Sequence, residues 1–159
     1  MHLSAYLSSA AVLALFAPSV VAVPTLEKVQ DAAVTLDLTA GTVVPVPGGS
    51  QLGIPVSEVV VKSDNMFNAT CSGYSWTTTY DAGTDAEYTD VVVRLTCETA
   101  DEVPFTVFEH GTGKKSETTL RHIQYDIGAP YEHLRSQFFL AEVITPVPEL
   151  TLVVYRVVQ

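Results

Sequence analysis

Apolar and polar positions alternate over short stretches of this chain, and each stretch ends at Gly, Pro, Asp or Asn. Val and Thr dominate the runs, so the pattern reads as strands rather than helices. It predicts strands over residues 33–39, 56–62, 71–80, 88–98, 105–110, 118–125 and 150–158. Residues 44–49 are expected to be a loop, because Pro45 and Pro47 lack ladder donors and Gly48-Gly49 turns freely. A polar loop is expected over 81–87 and a hairpin connection over 111–115. Only 131–142 competes as a helix, with Pro130 before it and Tyr131, Leu134, Phe138 and Ala141 on one face. The same residues also fit a strand over 137–144, and a short helix running into a strand is the preferred reading. About seven or eight short strands imply an all-β or mainly β domain, either a two-layer antiparallel β-sandwich or a small barrel.

The register of one hairpin can be derived. Pairing Tyr80 with Tyr88 across the 81–87 loop sets Cys71 opposite Cys97. One face then carries Val91, Val93 and Leu95 over Thr77, Ser75 and Gly73. The other carries Tyr74, Trp76, Tyr80, Tyr88, Val92 and Arg94. A bulge at Gly73 would flip the first strand upstream of Tyr74. Trp76, the only tryptophan, is expected in the core.

Composition adds an address. Residues 4–21 carry no charge and are rich in Ala, Val, Leu, Phe and Ser, with the apolar core broken by Pro18 and small residues at the cleavage positions of Val20-Val21-Ala22. This is the pattern of a secretory signal peptide over 1–22, removed before Val23. It leaves 137 residues as a single secreted domain, enough to bury its own core. The net charge of −10 would repel phosphate backbones and anionic membranes. Neither nucleic acid nor, after leader removal, a membrane is therefore an expected partner.

Outside the cell, the two cysteines are expected to form one disulfide, Cys71–Cys97. Asn68-Ala69-Thr70 is an N-glycosylation acceptor, placing Asn68 on the surface. Tyr74, Trp76, Tyr80 and Tyr88 form a candidate ligand or partner surface, weighed against a role as core. The acidic residues Asp81, Asp85, Glu87 and Asp90 do not follow a calcium-loop pattern, and His110, His122 and His133 contain no i, i+4 pair, so no metal site is expected. Gly111–Ser116 fails the phosphate-loop spacing, and Gly48–Gly53 lacks the following helix of a dinucleotide loop. No Gly-x-Ser-x-Gly elbow occurs. Neither a catalytic residue nor a cofactor is assigned.

An export segment ending in Val20-Val21-Ala22, a modest mature length, few cysteines and the Asn68 acceptor together resemble the small secreted proteins of fungi, effector-like in build. The resemblance implies a β-sandwich with a single disulfide and an extracellular interaction role. It carries over no site residue. The first expectation is thus a non-enzymatic secreted protein that binds an extracellular protein or glycan, effector-like toward a host. A carbohydrate-binding module using the aromatic stripe comes second, and a small secreted hydrolase third.

Overall fold

The computed structural model describes residues 23–114, 120–145 and 150–158, and the expected leader lies outside them. Nine strands follow one another: β1 (Thr25–Leu36), β2 (Thr42–Val46), β3 (Gly49–Lys62), β4 (Ala69–Tyr80), β5 (Tyr88–Thr99), β6 (Pro104–Gly113), β7 (Leu120–Ile127), β8 (Phe139–Thr145) and β9 (Leu150–Val158). They form one antiparallel sheet in the order β1-β9-β8-β7-β6-β5-β4-β3-β2. A further pairing of β1 with β3 closes eight of them into a barrel and leaves β2 outside the ring. Of the two expected architectures, the structure is the barrel.

Closure depends on β3, which changes partner along its length. Gly49–Gly53 pairs with β2, and from Val56 onward the strand pairs with β1. Pro55 stands at the changeover, where a missing ladder donor does least harm. Bulges between Lys28 and Gln30 in β1 and between Val56 and Val59 in β3 bend the sheet at this seam. No bulge occurs at Gly73, and the β4–β5 ladder runs in the expected register, unbroken from Ala69↔Thr99 to Tyr80↔Tyr88.

Strands are longer than expected because pairing, not local pattern, sets where they end. Thr42–Val46 is a strand rather than a loop, with Pro45 tolerated on the outer edge. Gly111–Gly113 belongs to β6, while Lys115 and the expected strand start at 118–119 lie outside the described residues. The helical signal after Pro130 becomes a 3-10 turn over Glu132–Ser136 that leads into β8.

Inside the ring, the core alternates along each strand, as in Val91, Val93, Leu95 and Cys97 of β5. One end is packed with aromatic rings. Phe67 lies edge-on to Phe105, Tyr125 and Tyr131 at 5.3, 5.9 and 5.1 Å between centroids, and Tyr125 meets Phe139 at 5.0 Å. Leu134 of the 3-10 turn is buried beside them. The Cys71–Cys97 disulfide joins directly opposed residues of β4 and β5 on the inner face, with Cα atoms 4.0 Å apart.

Trp76 does not join this core. It is half-buried on the outside of the barrel, because Ser75 and Thr77 on either side of it face the lumen. The neighbouring Tyr74 ring covers Gly53, where an added Cβ would lie 2.9 Å from it. The aromatic weight of the interior comes instead from Phe67, Phe105, Tyr125 and Phe139.

Candidate functional site

Two charged residues interrupt the inward alternation of β6 and β7. In β6, Phe105, Val107, Glu109 and Gly111 point inward, and in β7, Arg121, Ile123, Tyr125 and Ile127 do. Glu109 is 6% exposed. Arg121, opposite Gly111 in the ladder, reaches it through one contact, Nη1 to Oε2 at 3.3 Å. Gly111 allows this approach: a Cβ there would come within 2.9 Å of Arg121 Cγ and 2.4 Å of the Leu120 carbonyl oxygen.

Above the pair lies a cavity of about 230 Å3. Its walls are mainly aliphatic, including Val34, Leu36, Leu52, Ile54 and Leu150, with the Ser75 and Thr77 hydroxyl-bearing residues on one side. Leu36, Leu52 and Thr77 are only half-buried, so the cavity lies toward the less tightly packed end of the ring. Below Glu109 the interior is nearly full, with a void of about 30 Å3 beside Gln30 and Tyr125. There the Tyr125 hydroxyl donates to Gln30 Oε1 at 2.6 Å, and Gln30 Nε2 donates to the Phe67 carbonyl at 3.3 Å.

Burial pushes the Glu109 carboxyl above its ordinary range, and the single contact with Arg121 does not offset it. Burial, and then the charge of Glu109, raises the Tyr125 hydroxyl as well, so it stays protonated as a donor. The Nε of Arg121 is buried without a hydrogen-bond partner among the described residues. An apolar cavity with one carboxyl held toward its neutral form and one cation with a spare donor can take a small molecule by its polar group.

The residues singled out from sequence lie elsewhere. Tyr74 and Trp76 pack on the outer face with rings 4.7 Å apart and tilted by 41°, both half-buried. Tyr80 stacks on Tyr88 at 4.8 Å and 19°, and Tyr88 is 44% exposed. The four rings thus form two separate pairs rather than one flat platform. Asn68 is exposed, and its Oδ1 accepts the Ser63 N–H at 2.8 Å. His110 pairs with Asp90 at 2.8 Å on the outside, His122 stacks on Phe138, and His133 sits in the 3-10 turn. The Asp81–Glu87 loop ties itself together, with the Glu87 carboxylate accepting the Gly83 N–H at 2.6 Å. No cluster of three metal-ligating side chains occurs among the described residues.

Sequence reasoning missed both Glu109 and Arg121. The signal was present: charges fall at inward positions of two otherwise apolar alternations, two residues beyond Val107 and two before Ile123.

No family model and no curated protein matches the chain. Solved structures do. A conserved protein of unknown function from Rhodopseudomonas palustris superposes with a TM-score of 0.71 at 17% identity, covering 86% of this chain and 100% of that one. A protein of unknown function from Clostridium acetobutylicum gives 0.69 at 12% identity over 86% and 100%. An enzyme from Penicillium herquei gives 0.67 at 12% identity over 85% and 95%. At these identities the likeness establishes a shared fold.

Proposed function

We propose that this chain is an exported binding protein whose barrel holds a small, mainly apolar molecule, with the polar group of that molecule directed at Glu109 and Arg121. The observation that carries the reading is the 230 Å3 aliphatic cavity with this buried pair at its floor. A cavity of about 150 Å3 is known to hold benzene, so there is room for a ring with a short substituent. The leader-like segment over 1–22 supports action outside the producing cell. The aromatic stripe has less support as a sugar platform, because its best-exposed pair, Tyr80 and Tyr88, stacks ring on ring.

Isothermal titration with cinnamamide, a neutral planar probe, tests the reading. One-to-one binding is expected, lost in Ser75→Phe, which fills the lumen, and kept in Trp76→Ala on the outside. Binding that survives Ser75→Phe and falls in Trp76→Ala would move the site to the exterior. N-terminal sequencing of the secreted product tests export, with Val23 expected as the first residue and a retained Met1 counting against it.

A second reading, acid–base catalysis in the same lumen, is favoured by the raised Glu109. A carboxyl kept protonated beyond its ordinary range, next to a cation, suits proton donation to a bound substrate. Glu109→Gln separates the two readings: it would abolish turnover while leaving ligand affinity within a few-fold.

A further inference from the structure

We infer that the ligand of the lumen is an acid, held as its carboxylate by Arg121. The inference deepens the small-molecule reading above and rests on it.

A guanidinium offers five donors in a planar fork suited to a carboxylate. Arg121 is the most buried cation among the described residues, its side chain 11% exposed. It spends one donor on Glu109, at a long 3.3 Å, and its Nε is buried with no partner among the described residues. Buried donors are almost always satisfied in folded proteins, so an unpaired one on a side chain that lines a cavity marks a place where an acceptor belongs.

The surroundings favour an anion in particular. Glu109 is the one carboxyl among the residues lining the cavity. It meets Arg121 through a single contact at 3.3 Å, and burial pushes its carboxyl above the ordinary range, so most of the guanidinium's donors are left without an anionic acceptor in the lumen. Thr77 lies in the same cross-strand layer as Arg121, through Val91 and Gly111, so its hydroxyl stands on the wall where a second ligand oxygen can be met. Gly111 keeps the guanidinium unobstructed on its own strand pair. The remaining walls are aliphatic and suit the body of an apolar acid.

Cinnamate and cinnamamide differ in charge and hardly in shape, and titration of both at pH 7 tests the inference. Cinnamate is expected to bind at least tenfold more tightly than the amide. Arg121→Met should bring the two within a factor of two, and Glu109→Gln should keep the preference for the acid. If Arg121→Met leaves too little folded protein, the double variant Glu109→Gln/Arg121→Met removes the pair together and should show the same loss. Equal binding of acid and amide by the unaltered protein would overturn the inference while leaving the small-molecule reading intact. A preference for cinnamate that survives Arg121→Met would overturn the assignment to Arg121. Binding of neither compound would remove the reading on which the inference rests.

Discussion

The two ends of the barrel interior follow the same inward alternation and are filled in opposite ways. At one end Phe67, Phe105, Tyr125, Tyr131 and Phe139 lock edge-to-face around a plug made by Leu134, and the remaining void is about 30 Å3. At the other, Val34, Leu36, Leu52 and Leu150 leave about 230 Å3 unfilled. Glu109 divides them, lining both spaces. Large rings from different strands can bridge the ring of eight strands, and shorter aliphatic side chains cannot. The aromatic end therefore supplies stability, and the aliphatic end is free to hold something else.

If that division is right, the largest stability loss comes from the aromatic end. Phe139 is 0% exposed, and Phe139→Ala should cost about 3–5 kcal/mol through the cavity it leaves. Urea denaturation measures this, and a loss near 1 kcal/mol would put the core elsewhere. Removing the bridge with Cys71→Ala and Cys97→Ala should cost about 2–5 kcal/mol in the same assay. Free thiols in the native protein would contradict it. Trp76→Ala, on the outside, should cost only about 1–2 kcal/mol, well below Phe139→Ala, because a half-buried ring leaves a smaller cavity.

The dividing residue gives a smaller effect that depends on pH. Burial raises the Glu109 carboxyl in the folded state, so between its ordinary value of 4.5 and its folded value the native state holds more protons than the unfolded one. The contribution of Glu109 to stability is therefore full below 4.5 and is lost as pH rises through the folded value. Glu109→Gln should be matched with the unaltered protein at low pH and gain on it progressively above that range. Denaturation midpoints of both proteins across pH 4 to 8 check this, and a gap that narrows with rising pH would reverse the sign.

The β4–β5 hairpin was legible from sequence down to its register, because a short polar loop and two cysteines fix the pairing locally. The same register fixes which residues share each of its two faces. Which face turned inward was harder, since Trp76 and its tyrosines carry more apolar surface than Ser75 and Thr77, and composition alone puts them inside. Closure reverses that choice: the pairing of β1 with β3 turns Val91, Val93 and Leu95 inward and leaves the aromatic side out. That contact spans the seam of the barrel and has no local signature. The same holds for Glu109 and Arg121, whose charges look like surface residues until β6 and β7 are closed into the ring.

The central claim is that the aliphatic end of the lumen is the ligand site, and methyl NMR tests it most directly. With the Ile, Leu and Val methyl groups labelled, saturating cinnamamide should shift Val34, Leu36, Leu52, Ile54 and Leu150 while leaving Leu134 and Ile127 at the aromatic end unmoved. Shifts concentrated on Val92 and Val43, on the outside, or on Leu134 and Ile127, would contradict the account.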